Sequence, residues 1–478
     1  MLDYFWPESL SLLAILDVMI VLVGIPWILA IKRDSTAAVA WSLLVILVPI
    51  LGFLLFVVFG YNYVYRPIRR KKRHRVSYRV RNPAHDDRSE RAECENTWNC
   101  LGDLATRLGA FPVCGGNRVK LYHDGPLAFD DLFESCSQAR HHIHLEYFIV
   151  QPDSTGRRLL DILTQKAREG VEVRLLYDAI GSLHLRKRLL KPLLKAGGKA
   201  TAFFTLNPLR RRMQVNLRNH RKIAVIDGRV AFTGGLNIGD EYLGKHPTFG
   251  YWRDTHMRIE GPAVAALQRI FIEDWDFAYE EAIRGPAYYP EPDANGDMVL
   301  QILESGPDQD VNVIRETLFA AITLVRKRLW ISTPYFVPDS SILDALRLAG
   351  RMGVDVKIIV PKWPDHWLPY YAARYYFDEM LRCGLRIYEY KKGMMHAKVI
   401  MADSSWATVG SANLDNRSLR LNFEVNCVVH SAPMIAELEK VFLEDLSHCE
   451  RLDARTFAQR GWRQRLLENG CRLFSPML

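Results

Sequence analysis

Nothing in this sequence supports a disulfide framework or a zinc site. Its eight cysteines (94, 100, 114, 136, 383, 427, 449 and 471) contain no C-x-x-C pair and no regular spacing, so they read as reduced core or surface residues. Charge is also missing over long stretches. Residues 37–59 carry none, and residues 9–31 carry only Asp17. Each run, as a helix, reaches about 35 Å, enough for a hydrocarbon core of ~30 Å. A cleaved signal peptide does not fit: the first run is too long, Asp3 and Glu8 stand where basic residues belong, and a second run follows at once. The expectation is a transmembrane hairpin, with Pro26 and Pro49 as kink positions that a bilayer tolerates.

Acidic residues are absent between Arg66 and Arg81, where nine basic ones stand. The formal net charge is +9, so the rest of the chain sums to about zero. A soluble nucleic-acid binder would spread positive charge over its fold, and no nucleic-acid partner is expected. A basic cluster just after a membrane run reads instead as contact with an anionic membrane surface. It predicts a multi-pass protein of the cell (inner) membrane with its C-terminal body on the cytoplasmic side. Lys32 and Arg33 in the short loop argue weakly the other way.

What the chain does contain is a stretch that occurs twice. His220-Arg-Lys222-Ile-Ala-Val-Ile-Asp227 is followed by Gly234-Gly-Leu-Asn237, and His396-Ala-Lys398-Val-Ile-Met-Ala-Asp403 by Gly410-Ser-Ala-Asn413. His, Lys, Asp, Gly and Asn recur at one offset, 176 positions. Such duplication marks two related structural units. The surroundings echo as well: Tyr147-Phe148 answers Tyr335-Phe336, and Gly170-Val-Glu-Val answers Gly353-Val-Asp-Val. Strands alternating with helices predict an α/β fold, a largely parallel or mixed sheet covered on both faces. Expected segments are a hairpin over 1–62, a basic juxtamembrane segment and linker over 63–109, one unit over 110–287, a second over 298–450, and a basic amphipathic tail over 451–478. The segment Tyr288–Asp297, rich in Pro, Asp and Gly, separates the halves.

Each motif reads as a strand pair; Asp227-Gly228 is a strong hairpin turn. Both histidines are expected at the start of a strand near the sheet's edge. Residues two apart in a strand share a face, so His220 neighbours Lys222, and His396 neighbours Lys398. Asp227 and Asp403, at an odd offset and at a turn, are expected to brace that turn, although they belong to the motif set counted as catalytic. Two imidazoles and two ammonium groups suit reaction at a phosphate diester. One neutral histidine can attack phosphorus and form a phosphohistidine. The other, protonated, can donate to the leaving alkoxide and then act as base on the incoming alcohol. Lys222, Lys398, Asn237 and Asn413 can hold the non-bridging oxygens. An attacking histidine also needs an acceptor for its other ring nitrogen, and Asp254 and Glu424, downstream of each motif, are the candidates. Neither motif has H-x3-H or H-E-x-x-H spacing, which disfavours a metal centre.

These residues resemble the phospholipase D superfamily, whose hallmark is the paired H-x-K-x4-D motif with a G-x-x-N extension. The resemblance implies two pseudo-symmetric α/β/α sandwich units sharing one active site, with no metal or cofactor. A closer resemblance is to bacterial cardiolipin synthases. It rests on the hairpin with its basic tail, on Thr333-Pro-Tyr-Phe-Val-Pro338, on Gly234-Gly-Leu-Asn-Ile-Gly-Asp-Glu-Tyr242, and on the ending Arg472-Leu-Phe-Ser-Pro-Met-Leu478. It implies that two phosphatidylglycerols are joined into cardiolipin with release of glycerol, and that His220 is the nucleophile and His396 the acid/base. Residues 210–218 are either a guide for anionic headgroups or a solvated basic loop. The aromatic stretch Trp363–Tyr371 and the basic amphipathic stretch Arg455–Leu473 can each meet membrane phospholipid or pack on the body. Oligomeric state is left open.

Overall fold

The computed structural model describes residues 6–32, 35–57, 65–81, 96–204 and 216–478, and the chain divides into two compact units, Met1–Arg70 and Lys71–Leu478. Residues 82–95 of the expected juxtamembrane segment and linker over 63–109, and most of the basic loop over 210–218, lie outside the described residues.

In the first unit the helix Trp6–Ile31 runs through Pro26 without a break. Among the described residues it holds the one helix, Leu12–Ile31, long and apolar enough to cross a membrane. The second apolar run is not one helix. Ser35–Leu47 ends at Val48, and Pro49 opens a second helix, Pro49–Leu55, because proline has no amide to continue the ladder and is suited to a first turn. The two runs nevertheless pack together: Trp27 meets Phe53 and Phe56 at 5.6 and 5.8 Å between ring centroids, and Ile28, Val45 and Phe56 are fully buried.

The second unit is built on one fifteen-stranded sheet. At its middle, Cys114–Tyr122 pairs antiparallel with Met298–Ser305. Outward from the first lie His256–Glu260, Val230–Gly234, Lys222–Ile226, His142–Tyr147, Glu172–Asp178 and Lys199–Phe203. Outward from the second, in matching order, lie Glu424–Val429, Trp406–Gly410, Val399–Ala402, Arg328–Ser332, Asp355–Pro361 and Arg386–Tyr390, with Cys449–Arg451 added at the edge. In each half the outer three strands of this series are parallel and the inner ones antiparallel. The duplicated sequence is thus a duplicated, pseudo-symmetric half-sheet.

One expectation is corrected by the strand order. Both motif strands, Lys222–Ile226 and Val399–Ala402, are interior, each flanked by two partners. Their composition explains why. Ala224 and Ile226 pack into one apolar cluster, while Ile223 and Val225 pack into another on the opposite face. Ile400 and Ala402 against Val399 and Met401 divide in the same way. A strand buried on both faces reads as continuously apolar, whereas an edge strand alternates. The histidines therefore sit at the end of the sheet, not at its side.

Among the described residues this unit holds four apolar clusters, and the three largest follow the sheet. One belongs to the first half, under the helices Gly125–Gln138 and Ser154–Arg168, and one to the second, under Val313–Leu324, Ser340–Arg351 and Trp367–Arg382. The third is common to both halves and lies under Ala263–Tyr279 and Ala432–Ser447. Asp153, Asn312 and Asp339 cap three of the helices by accepting from Gly156, Arg315 and Ile342 amides, each cap contributing about 1 kcal/mol.

Candidate active site

Each motif histidine is fixed by the other half of the molecule. The His220 amide donates to the Phe423 carbonyl at 2.9 Å, and the His396 amide to the Arg253 carbonyl at 2.7 Å. Gly393–Met395, which leads into His396, pairs in parallel with Tyr251–Arg253. Phe423 and Arg253 immediately precede the two candidate carboxylates, so the side chains pair crosswise. His220 Nδ1 lies 3.0 Å from Glu424 Oε2, and His396 Nδ1 lies 2.6 Å from Asp254 Oδ2. All four groups are buried.

The carboxylates are themselves held. Glu424 accepts from the Ser411 hydroxyl and, at 3.1 Å, from the Asn422 amide. Asp254 accepts from the Thr255 amide at 2.7 Å. A Cβ on Gly235 would come within 1.9 Å of Asp254 Oδ1, so the first motif needs glycine where the second has Ser411. Phe148 packs on the His220 ring at 4.9 Å, and Trp252 on His396 at 5.2 Å.

Lys222 and Lys398 fold back on their own histidines. Lys222 Nζ donates to the His220 carbonyl at 2.7 Å. Lys398 Nζ donates to the His396 carbonyl and stands 3.0 and 3.2 Å from the two ring nitrogens. Burial pushes the Lys222 ammonium down to about 7 and the Lys398 ammonium down to about 8, against the attraction of Glu424 and Asp254. Burial likewise lowers His220 to about 4, helped by Lys222 and opposed by Glu424, and it lowers His396, helped by Lys398. Burial alone would raise Glu424 and Asp254, but the cations and hydrogen bonds around them hold both below the ordinary carboxylate range. An ionised carboxylate only accepts, so each neutral imidazole donates Nδ1–H and keeps its lone pair on Nε2. Lys398 acts on His220, and Asp254 on Lys222, as expected if both motifs face one site.

The remaining motif residues divide. Asn237 donates to the Tyr242 hydroxyl at 2.8 Å and accepts from the Ile149 amide at 3.3 Å; Asn413 donates to Asp415 at 3.2 Å. Each primary amide keeps a second N–H. Asp227 and Asp403 are not with the histidines, which corrects their inclusion in the catalytic set. They lie at the far end of the motif strand, roughly 20 Å away at strand rise. Both have left-handed backbone, with φ of 54° and 53°. Asp227 accepts from the amides of Arg140, His141 and His142 at 2.8, 2.8 and 2.9 Å. Asp403 does the same for Arg326, Lys327 and Arg328. Each locks its turn to the chain entering the adjacent strand. Asp227→Ala is therefore expected to cost about 2–3 kcal/mol, and Asp227→Asn less, because asparagine tolerates that backbone. Thermal unfolding of the two variants checks this; equal midpoints would refute the bracing role.

Sequence reasoning missed a charged network behind the site. By strand parity Arg221 points away from His220 and Lys222. It is buried against Asp274, Glu304, the Ser305 carbonyl and the Glu424 carbonyl, tying residues of both halves together. The basic run supplies further cations here. Lys71 pairs with Asp274 at 2.6 Å and Asp308 at 3.4 Å, Arg75 pairs with Glu304, and both are buried. The expected contact of that run with an anionic membrane surface therefore does not extend to Lys71 and Arg75. Buried charge is stable only when paired, and these acids, scattered over 274–308, are separated in sequence from their partners.

Asn219, which accepts from the Arg221 amide of the motif at 3.2 Å and donates to Glu146 at 2.6 Å, and Ser411 were also overlooked. The one available signal was that Ser411 replaces the glycine of the other repeat.

A family model described as "Cardiolipin synthase, PLD-like domain" matches residues 132–275 and 318–446, the two halves of the sheet. The chain is 42% identical to the cardiolipin synthase of Geobacillus kaustophilus over 94% of its own length and 90% of that protein's. It is 38% identical to the major cardiolipin synthase of Bacillus subtilis, covering 98% and 99% of the two chains. The phosphatidylserine synthase of Haemophilus influenzae has a similar fold, with a TM-score of 0.57 at 18% identity over 75% of this chain and 95% of that one.

Proposed function

The chain belongs to the cardiolipin synthases, which are phosphatidyltransferases of phospholipase D type, and from that premise we propose that it transfers a phosphatidyl group between two phosphatidylglycerols through a phosphohistidine. The observation that supports this most is the crossed pairing of His220 with Glu424 and His396 with Asp254. It gives two neutral imidazoles with like orientation and separate supports.

His220 Nε2 attacks the phosphorus of the first phosphatidylglycerol. The bond from phosphorus to the glycerol oxygen breaks, and His396, protonated once the anionic phosphate is bound, delivers its proton to that oxygen. Glycerol leaves. The headgroup hydroxyl of a second phosphatidylglycerol gives its proton to His396 and attacks the phosphohistidine, forming cardiolipin and restoring His220. Lys222 and Lys398 balance the phosphate charge, with the free N–H groups of Asn237 and Asn413 as further donors. Transfer to an alcohol requires that water be scarce at the site. Purified protein given phosphatidylglycerol as its only lipid is expected to yield cardiolipin and glycerol; phosphatidic acid as the only lipid product would overturn the reading.

The lysines set the basic limit. Their charge is present below about pH 7 and about pH 8 and is lost as pH rises through those values. We expect kcat/KM for phosphatidylglycerol to fall at least about tenfold between pH 7 and pH 9, and kcat to fall later, because bound phosphate keeps the ammonium groups charged. The acid limb lies below the ordinary imidazole value of ~6.5, since His220 stays neutral down to about pH 4. A flat kcat/KM from pH 7 to pH 9 would remove the lysines from phosphate binding.

The protein is membrane-associated, and we infer that both apolar runs cross the bilayer with the body on the cytoplasmic side. Basic residues flanking the second run support that orientation. Labelling of cysteines introduced in the two flanks, from each side of sealed vesicles, tests it; labelling of the body from outside the cell would reverse it.

A further inference from the structure

The helix Trp462–Arg472 is fastened to the body by its polar side and turns its apolar side outward. Its inner face buries Glu468 and Cys471. Glu468 accepts from Arg460 at 2.7 Å and from Gln464 at 3.0 Å, and pairs with Arg374 at 3.6 Å. Arg472 donates to the Tyr375 hydroxyl at 2.6 Å. On the outer side Trp462 is 70% exposed, Leu466 63%, Leu473 73% and Phe474 50%. At about 100° per residue Trp462, Leu466 and Leu473 fall within roughly 40° of one another. A helix of a soluble protein does the reverse. An outward face that is mostly apolar, interrupted by Asn469, marks an interaction surface.

Charge decides what covers it. Arg463 and Arg465 are exposed within and beside this face, and the Arg463 guanidinium lies 5.6 Å from the Trp462 ring centroid. The neighbouring helix Trp367–Arg382, which carries Arg374 and Tyr375, starts at an exposed Trp367, with Trp363 and Lys362 just before it. Interleaved tryptophan and arginine suit the headgroup level of an anionic bilayer. A second copy docked through this face about a two-fold axis would set the arginines of one chain against those of the other. The segment that follows the helix leads back to the second motif. The Leu478 carbonyl accepts from the Arg417 amide at 2.6 Å, and Arg417 lies in the short helix capped by Asp415, the partner of Asn413.

We propose that this outer face is a docking surface for an anionic phospholipid bilayer. Trp462, Leu466, Leu473 and Phe474 enter the headgroup region, and Arg463 and Arg465 meet lipid phosphates. Docking turns the rim of the active site toward the lipid that supplies both substrates. The proposal rests on the functional reading above only through its activity readout.

The test uses the full chain. In Leu466→Ser/Leu473→Ser/Phe474→Ser, kcat/KM on phosphatidylglycerol in vesicles should fall at least tenfold, while that on dihexanoyl phosphatidylglycerol dispersed as monomers stays within twofold. Equal loss on both, or loss on neither, overturns the proposal. Independently, an environment-sensitive fluorophore on Leu466→Cys, in a Cys94→Ser/Cys100→Ser/Cys449→Ser background, should shift to the blue in phosphatidylglycerol vesicles. The shift should be smaller in phosphatidylcholine vesicles and in Arg463→Gln/Arg465→Gln. A shift indifferent to lipid, or a detergent-solubilised dimer that the triple serine variant dissociates, assigns the face to a second copy instead. If the unmodified protein turns over neither substrate, the functional reading fails while the fluorescence still decides docking.

Discussion

His220→Ala is expected to lose turnover by about 10⁴-fold or more and to form no phosphoenzyme with any headgroup, because it removes the atom that attacks phosphorus. His396→Ala is expected to lose about 10²–10⁴-fold with phosphatidylglycerol, the range for general acid–base catalysis. Its defect depends on the leaving group. A phosphatidyl ester of p-nitrophenol departs without a proton, so His396→Ala should release nitrophenol in a burst at near the native rate. It should then stall as phosphohistidine, since nothing accepts the proton of the incoming alcohol. Quenched-flow detection of nitrophenol, with acid-labile and base-stable phosphate on the protein, reads both steps. A burst in His220→Ala and none in His396→Ala would exchange the two roles. Substantial cardiolipin formation by either variant would remove the shared two-histidine site altogether.

The repeat was legible because it is a matter of spacing. His, Lys, Asp, Gly and Asn recur at one offset, and the sheet repeats with them. Strand parity paired His220 with Lys222 and His396 with Lys398 and set them apart from the aspartates, and the turn signal at Asp227-Gly228 pointed to a bracing role, both of which follow from local geometry. What local geometry cannot carry is strand order. The motif strands were expected at an edge and are interior, since the partner on the outer side of each, His142–Tyr147 or Arg328–Ser332, comes from roughly 70–80 residues earlier in the chain. Two residues of the basic run escaped for the same reason. Nine cations without an anion nearby look solvated or lipid-facing, yet Lys71 and Arg75 find Asp274, Glu304 and Asp308 in space. Those acids would be costly to bury unpaired. The outward apolar face of Trp462–Arg472 needed the structure too: the sequence shows that the helix is amphipathic, not which side is bound.

Glu424→Gln and Asp254→Asn carry the same difficulty into function, and their expected effects differ from what adjacency in the chain suggests. Asp254 follows the first motif and Glu424 the second, but His220 pairs with Glu424, 204 positions on, and His396 with Asp254, 142 positions back. Each carboxylate fixes the tautomer and stabilises the positive charge its histidine acquires, and neutralising such a group costs about 10³–10⁴-fold. Glu424→Gln should therefore behave as a His220 variant, with no phosphoenzyme even from the nitrophenyl ester. Asp254→Asn should behave as a His396 variant, giving a burst and then a stalled phosphohistidine. Both amides are nearly isosteric with the acids they replace, so packing against Ser411, Asn422 and Thr255 is kept and loss of folding does not confuse the result. If the pattern reverses, so that Asp254→Asn blocks phosphoenzyme formation and Glu424→Gln permits it, either the histidine roles or the crossed pairing is wrong. The His396→Ala burst distinguishes these, because it fixes the roles without reference to the carboxylates. Agreement of the two experiments requires that each half of the sheet carry one catalytic histidine and the support for the other, so neither half can work alone.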